Sequence, residues 1–451
     1  FIGGNTRSSD LYLFRWLRNN KNGVPVFAEP IAIKEFFTSN GSILQTSDGI
    51  IHGLWLDRDT VVHTIFDKDL YKFVIKGKVM LPELPSTPNS ISTFINNDGS
   101  IDLLLELRGH RIPGKYENQN ASSENWRPYD EAGIASTSIS YTYLYSLRFP
   151  KLLDGEAVLI QQATPTNREV MYGMRNTTPV NLGKGHEQEL ITGSHLGVLP
   201  YYERTEKNSL SFSTRRYVVG QDGNLLRHPS VSATVVAYPS SNGNISNIVV
   251  GGEGAVYFYQ FTGQFTPEGS PIFKDPVSAL QENAYLYGGT LPVPSSIDWD
   301  GDNVIDLIVG NSEGFVLFFK NIGSNDNPSF LPGERVLAGG SVIQIQGGYS
   351  GSVQGVAEAR WGYLSPTAID WNEDGLPDII MGDITGNYSI YINRGTKTKP
   401  VLEAAMSIFC DGLELHGMWR SRAAVGRLGN RMALANIDGD DEFHLFWKIE
   451  E

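Results

Sequence analysis

One segment of this chain occurs twice, and the repeat limits what the chain can fold into more than any other feature. Residues 297–310 read IDWDGDNVIDLIVG, and residues 369–382 read IDWNEDGLPDIIMG. In both copies a short apolar run leads into a polar loop, and a second apolar run leaves the loop and ends in glycine. Two apolar runs joined in this way are typical of an antiparallel β-hairpin. The repeat therefore predicts a fold assembled from similar β-sheet units.

The polar loop within each copy has a chemistry of its own. Carboxylates and amides stand at its positions 1, 3, 5 and 9, counted from Asp298 in the first copy and from Asp370 in the second. This spacing in a tight loop gathers hard oxygen ligands around one cation. The two loops therefore predict two calcium sites.

The repeat continues beyond the loop. After the glycine each copy has a short turn, an alternating strand (315–319 or 388–392), an Asn-x-Gly triplet at Asn321 or Asn393, and a proline-led strand (328–330 or 400–402). Alternation of apolar and polar residues is typical of half-buried strands. Each unit is therefore predicted to be a four-stranded antiparallel meander.

Weaker copies of the unit extend the pattern over most of the chain. The landmark glycines at 193, 251, 310 and 382 are roughly 60 to 70 residues apart, longer than the ~40 to 50 of common propeller repeats but of the same kind. Degenerate copies fall at 55–66 and 96–105. The chain opens in mid-repeat, with strands predicted at 1–5, 11–14 and 25–27, and closes on an incomplete unit with strands at 423–428, 432–436 and 443–448.

Joining these terminal fragments in one sheet would close a propeller ring and protect its edges. We therefore predict an all-β chain that forms a single β-propeller domain over residues 1–451. Seven first strands favour seven blades, and eight third strands leave eight blades as the alternative. An inserted loop at about 108–138 is rich in Asn, Ser, Gly, Trp and Tyr, and we expect it to form a wall or lid.

The units resemble the calcium-binding propeller repeats called FG-GAP or VCBS repeats, which occur in integrin heads and in many secreted bacterial proteins. The match is strong over residues 290–400 and moderate over 186–262. Carried over by position, the resemblance implies a structural calcium ion in a closed site of each loop. The implied ligands of the first loop are the side chains of Asp298, Asp300, Asp302 and Asp306 and the Val304 carbonyl. Those of the second loop are the side chains of Asp370, Asn372, Asp374 and Asp378 and the Leu376 carbonyl.

Other loops depart further from the pattern. Asn303 replaces the usual sixth-position glycine, which is tolerable because Asn enters the left-handed region more readily than most residues. The stretch from Asn181 to Glu189 retains too few oxygens for a site. The copy around Asp98 lacks its first ligand because Phe94 stands there, and the stretch from Asn436 to His444 is interpreted as a different turn.

Composition excludes some partners. The formal net charge of −14 argues against nucleic acid, because binding by phosphate neutralisation needs a basic face. No apolar run approaches the ~18 residues of a membrane span, and no signal peptide is evident. The Phe1 start indicates a processed or trimmed chain, and the resemblance implies a secreted, periplasmic or cell-surface location.

Function is predicted on the rim opposite the cation loops, because loops on rigid scaffolds are where binding and catalytic residues concentrate. The crossovers between blades are predicted to bring aromatic, His and Arg side chains to this rim. Aromatic faces stack on sugar rings, and Arg pairs bidentately with a carboxylate. The predicted substrate-binding residues are His52, His228, Tyr287, Trp361, Tyr363, Trp419 and Arg420.

By analogy with polysaccharide lyases built on propellers, we predict β-elimination on a uronate-containing glycan. That reaction needs a neutraliser for the carboxylate, a base and an acid. The candidates are His110 and His195 as base or acid, Tyr116 or Tyr201 as partner, and Arg108, Arg111 or Arg175 as neutraliser. A lectin-like glycan-binding module, a protein-interaction propeller and a glycoside hydrolase using paired carboxylates are the alternatives.

Overall fold

The protein is described from a computed structural model. It describes residues 2–4, 11–33, 40–84, 86–95, 101–112, 139–149, 158–162, 174–185, 188–194, 197–206, 212–229, 233–240, 245–252, 256–281, 287–347, 361–418, 420–437 and 443–449. All regular structure in these ranges is β-strand. Within the same ranges, no helix is long and apolar enough to cross a membrane.

The chain divides into two compact units, Phe1–Ala284 and Tyr285–Glu451. The strands of the first unit are β1 (Ile2–Gly4), β2 (Leu11–Leu13), β3 (Trp16–Asn19), β4 (Pro25–Phe27), β5 (Ile31–Ile33), β6 (Gly41–Gln45), β7 (Ile51–Asp57), β8 (Thr60–Asp67), β9 (Lys72–Met80), β10 (Pro88–Ile95), β11 (Ile101–Ile112), β12 (Ile139–Phe149), β13 (Val158–Gln162), β14 (Met174–Val180), β15 (Glu189–Ser194), β16 (Pro200–Tyr202), β17 (Arg216–Tyr217), β18 (Thr234–Pro239), β19 (Ser246–Gly251), β20 (Tyr257–Tyr259), β21 (Phe261–Phe265), β22 (Pro271–Phe273), β23 (Val277–Ser278) and β24 (Leu280–Gln281).

Four sheets of the first unit are four-stranded antiparallel meanders. Their strand orders are β6-β7-β8-β9, β10-β11-β12-β13, β14-β15-β16-β17 and β18-β19-β20-β23. The sheet β1-β2-β5 has three strands, β21 and β22 form a hairpin, and β24 joins the hairpin β3-β4 in parallel with β4.

The second unit repeats the same plan. Its strands are β25 (Val293–Ile297), β26 (Asp306–Gly310), β27 (Val316–Phe319), β28 (Glu334–Arg335), β29 (Leu337–Ala338), β30 (Ser341–Val342), β31 (Ser365–Ile369), β32 (Asp378–Gly382), β33 (Tyr388–Tyr391), β34 (Met406–Ser407), β35 (Phe409–Cys410), β36 (Leu413–Glu414), β37 (Ala424–Leu428), β38 (Arg431–Ile437) and β39 (Phe443–Trp447). The orders β25-β26-β27-β28 and β31-β32-β33-β34 are complete meanders, β37-β38-β39 has three strands, and β29-β30 and β35-β36 are hairpins.

These four-stranded antiparallel sheets confirm the predicted fold class, an all-β fold built from propeller blades. The blade count, ring closure and the single domain stay predictions. The stretch from Asn436 to His444 joins the second and third strands of its sheet, as the different-turn interpretation expected.

The fourth strand of the two clearest repeats was predicted in the wrong place. The proline-led segments at 328–330 and 400–402 are not the strands that complete the sheets; those are β28 and β34, a few residues later. Pro25–Phe27 likewise pairs with β3, and β5 completes the first sheet. A proline-led apolar triplet has the composition of a strand, but here it forms one arm of a hairpin before the edge strand.

The Asn-x-Gly triplet explains how that hairpin is held. The Oδ1 atom of Asn321 accepts hydrogen bonds from the backbone N–H groups of Gly323 and Ser329, both at 2.9 Å. Asn393 accepts from Gly395 at 2.9 Å and Val401 at 3.0 Å in the same way. An Asn side chain that imitates a backbone acceptor stabilises a turn.

Two of the landmark glycines, Gly310 and Gly382, mark close contacts between neighbouring blades. A Cβ atom on Gly310 would stand 2.2 Å from the Leu364 carbonyl oxygen, and one on Gly382 would stand 2.2 Å from that of Ser421. The crossover into the next blade passes directly over the end of the second strand in both cases. Only glycine leaves room for that approach, which is why the repeat keeps it.

The predicted insertion begins later than expected. β11 continues to Ile112 and β12 begins at Ile139, so residues 108–112 belong to a strand and not to the loop. The remainder of the insertion lies outside the described residues.

Candidate cation loops and aromatic rim

The loop 298–306 is fixed by backbone donors to its carboxylates. Asp306, fully buried at the start of β26, accepts hydrogen bonds from the N–H of Trp299 at 3.0 Å and of Asn321 at 2.8 Å. Asp298 accepts from Asn303 N–H at 3.0 Å. Trp299 belongs to an apolar core cluster that also contains residues of the next blade. The loop is thus tied at both ends and anchored at its second position.

Three carboxylates converge inside this loop. Asp298, Asp300 and Asp306 each offer one oxygen, and the three oxygens lie within 4.8 Å of one another. The Oδ1 atoms of Asp298 and Asp300 are buried and, among the described residues, have no hydrogen-bond partner. Burial, reinforced by the nearby Asp300 carboxylate, raises the pKa of Asp306. Acceptor oxygens turned inward without donors are suited to a bound cation, because an unmatched buried acceptor is otherwise costly.

A lysine balances part of this charge. Lys320, the residue after β27, directs its Nζ atom to Asp300 and to Asp302, the latter at 2.9 Å. The two contacts raise the pKa of Lys320. The sequence did not point to this residue, because its role depends on the pairing of β26 with β27.

The loop 370–378 has the same frame, meaning the backbone hydrogen bonds to its position-one and position-nine carboxylates. Its interior, meaning the side chains at the other loop positions, is different. Asp378 accepts hydrogen bonds from the N–H groups of Trp371, Asn372 and Asn393 at 2.8 to 3.3 Å. Asp370 accepts from Gly375 N–H at 2.9 Å. The Asn372 amide donates to Asp374 at 2.9 Å. The polar groups of this loop therefore satisfy one another more fully than those of the first.

Two loop positions adopt the left-handed conformation in both copies. Position six is Asn303 with φ of 67° and Gly375 with φ of 83°, which confirms that Asn303 takes the place of glycine. Position four is Gly301 with φ of 70° and Glu373 with φ of 63°. A residue with a Cβ atom is strained by about 1 kcal/mol in the left-handed region, so Glu373 destabilises the loop by about that amount. The Glu373 carboxylate forms an ion pair with Arg427, whose guanidinium lies 2.8 Å from Oε1.

The loop 181–189 shows what happens when ligands are lost. Glu189, buried at the start of β15, accepts from Leu182 N–H at 3.0 Å, as the position-nine carboxylates do. Glu203 pairs with Lys184 at 3.1 Å and with Arg216 at 2.6 Å. Protein cations thus supply the positive charge beside this loop.

The structure brings together three of the predicted rim residues. Trp361 and Tyr363, in the crossover before β31, contact edge to face with ring centroids 5.3 Å apart. The Arg420 guanidinium carbon lies 3.8 Å from the Tyr363 ring centroid and 5.8 Å from that of Trp361. All three are partly exposed. They stand at the opposite end of β31 from loop 370–378, a strand length of about 17 Å away.

This rim cluster, Trp361, Tyr363 and Arg420, is built on unusual backbone. Tyr363 has φ of 45° and Arg420 has φ of 64°, both in the left-handed region. Arg420 N–H donates to the Asp383 carbonyl at 3.1 Å. Strained residues that meet at one place suggest a preorganised site.

Four other candidates are placed differently. His52 lies in β7 and not in a crossover, because the sheet that contains β7 begins one strand earlier in the chain than predicted. The Nδ1 atom of His52 lies 2.9 Å from His63 Nε2. His228 does lie in a crossover, but it is fully buried, with Nδ1 2.9 Å from the Tyr259 hydroxyl. Tyr201 is fully buried in β16, where burial raises its pKa. Tyr287 is half exposed before β25.

The remaining candidates cannot be placed at a site. His195, Tyr116 and Trp419 lie outside the described residues. Arg108, His110 and Arg111 belong to β11 and Arg175 to β14, but the described residues do not include their side chains. The predicted catalytic constellation therefore stays a prediction.

Comparison with known proteins gives only distant likenesses. No family model matches the chain, and no curated protein matches it. Among solved structures, it is similar to a protein from Lactobacillus plantarum (9% identity, 91% of this chain and 93% of that chain, TM-score 0.30) and to the periplasmic gluconolactonase of Pseudomonas aeruginosa (9%, 90% and 94%, 0.32). It is also similar to a lectin of Agrocybe aegerita that recognises non-reducing terminal N-acetylglucosamine (12%, 95% and 93%, 0.26). At these TM-scores the likenesses assign neither an activity nor a ligand to this chain.

Proposed function

We propose that this protein is a calcium-stabilised glycan-binding propeller whose rim cluster recognises an acidic sugar. The observation that carries the proposal is the position of Arg420 over the face of Tyr363, beside Trp361. Arginine beside aromatic rings is suited to an acidic sugar, because its planar guanidinium is the side chain that pairs with both oxygens of a carboxylate. The Trp361 ring offers an apolar surface for the sugar.

Calcium enters the proposal as a structural ion of the two loops. The unmatched Oδ1 atoms of Asp298 and Asp300 support a cation in the first loop, and all-oxygen donors suit a hard ion. Asp298, Asp300 and Asp306 would hold it there, with Asp302 available once Lys320 moves. Asp370, Asn372, Asp374 and Asp378 would hold it in the second loop. The bound ion would supply charge neutralisation that fixes the hairpins.

The test of glycan binding compares a uronate polymer with its carboxyl-reduced form by calorimetry. We expect binding to the acidic form to be stronger. Arg420→Lys should remove the preference, because an ammonium lacks the planar fork, and Trp361→Ala should weaken binding to both forms. Trp16→Ala is the matched control, since Trp16 is an exposed tryptophan of the first unit. Equal binding of Arg420→Lys and wild type would contradict the proposal.

Cleavage by β-elimination is the finer proposal, and it comes from the sequence alone. It predicts a rise in ultraviolet absorbance from the unsaturated product, lost in His110→Ala or His195→Ala. A flat trace with binding retained would leave a lectin-like protein.

A further inference from the structure

Lys320 stands against two of the carboxylates with which the first loop would bind a dication. Its ammonium contacts Asp300, one of the three converging carboxylates, and Asp302 at 2.9 Å. Its side chain is one-third exposed, so it can swing away into solvent. The loop thus already contains one positive charge of its own.

The second loop has no lysine at the equivalent position, although Lys448, the residue after β39, donates to the Trp371 carbonyl oxygen at 2.8 Å. Phe319 pairs with Leu307 and Tyr391 pairs with Ile379, so the residues that follow them, Lys320 and Ile392, are equivalent. Ile392 is buried in the apolar core. Among the described residues, no lysine or arginine forms a salt bridge with a carboxylate at positions one, five or nine of this loop.

The same position is charged again in the first unit, with the sign reversed. Tyr202 pairs with Leu190, which makes Glu203 the equivalent of Lys320. There Lys184 and Arg216 approach Glu203 at 3.1 and 2.6 Å. Three blades therefore place a lysine, an isoleucine or a glutamate at one equivalent position, so the charge at this position differs from blade to blade.

We propose that Lys320 is a built-in competitor that sets the cation affinity and charge selectivity of the loop 298–306. The proposal rests on the calcium binding put forward above. A dication must displace the ammonium from Asp300 or accept repulsion from it at short range. A monovalent ion carries no more charge than the ammonium it would replace, so Lys320 also disfavours sodium and potassium. The first loop is accordingly the weaker and more selective of the two calcium sites.

The test converts each loop into the other. Lys320→Ile is examined in an Asp374→Ala background, which removes the second site, and calcium affinity is measured by calorimetry and by displacement of terbium excited through Trp299. We expect calcium to bind about tenfold more tightly, equivalent to about 1.4 kcal/mol. Lys320→Arg should keep the weak affinity, and Lys320→Met serves if the isoleucine variant does not fold. Ile392→Lys in an Asp300→Ala background should weaken the second site.

Stability gives an independent readout. Without calcium, Lys320→Ile should lower the melting temperature, because Asp300 and Asp302 lose their counter-charge; with saturating calcium the difference should shrink or change sign. Unchanged calcium affinity in Lys320→Ile and Lys320→Met, with binding present, would overturn the role of Lys320 and leave the calcium proposal intact. Absence of calcium and terbium binding in every variant would overturn both.

Discussion

The loops 298–306 and 370–378 have one frame and two ways of balancing charge. In both, the position-nine carboxylate is buried and accepts backbone hydrogen bonds from within the loop and from the second residue after the third strand. The first loop has three converging carboxylates and a lysine, whereas the second uses the Asn372 amide and places isoleucine where the lysine stood. The backbone frame is therefore separable from the ligand chemistry that it carries.

The largest effect should come from removing the shared frame. Asp306→Ala and Asp378→Ala each leave two or more buried N–H groups without their charged acceptor, and each should reduce the free energy of unfolding by about 4 kcal/mol in chelator. Chemical denaturation measures this. Asp302→Ala, at an exposed position of the same loop, is the control and should cost much less. A small loss of stability at only one of the two aspartates would show that the two loops do not depend equally on their position-nine carboxylates.

Acid should act on the first unit without involving either loop. Burial lowers the pKa of His63 to about 4, with His52 and Lys76 adding to the effect, and the pKa of His52 is lowered as well. The unfolded chain then binds more protons than the folded one, so stability is lost as pH falls from about 6.5 towards 4, by up to about 3 kcal/mol. His63→Gln should flatten this part of the pH profile measured in chelator. An unchanged profile would show that the histidine pair is not its source.

The interiors of the loops should be interchangeable at position three. Asn372→Asp gives the second loop the carboxylate of the first but no lysine to balance it. We expect a loss of about 1 kcal/mol in chelator and a gain in calcium affinity, both read from melting curves with and without calcium. Asn372→Ser, which adds no charge, is the control. A stability gain for Asn372→Asp in chelator would contradict the role assigned to charge.

The smallest effect concerns the left-handed position six. Gly375→Ala should cost about 1 kcal/mol, because φ of 83° disfavours a Cβ atom. Gly375→Asn should cost less, since Asn303 adopts the same conformation in the first loop. Denaturant midpoints with an unchanged m-value measure both. Equal costs would show that Asn303 carries strain of its own.

Local spacing in the sequence was enough to predict the hairpins, the left-handed Asn303 and the propeller class of the sheets. The fourth strands were missed because two-residue strands such as Glu334–Arg335 have no period to recognise. His52 was misplaced because residues 55–59 imitate a cation loop, although they span the end of one strand and a turn. Lys320 escaped notice because its importance depends on strand register and not on its neighbours in sequence.

The residue types of the rim cluster could be predicted from the sequence, but the contact between its three side chains could not. Trp361, Tyr363 and Arg420 were chosen as residue types suited to sugars in predicted crossovers. Their contact depends on left-handed backbone at Tyr363 and Arg420, which neither residue type favours.

Calcium titration of the chelated protein tests the central claim most directly. Calorimetry should detect two sites per chain, of which Asp300→Ala removes the weaker and Asp374→Ala the tighter, and calcium should raise the melting temperature of the wild type. A titration without calcium-dependent heat, together with an unchanged melting temperature, would contradict the account of both loops.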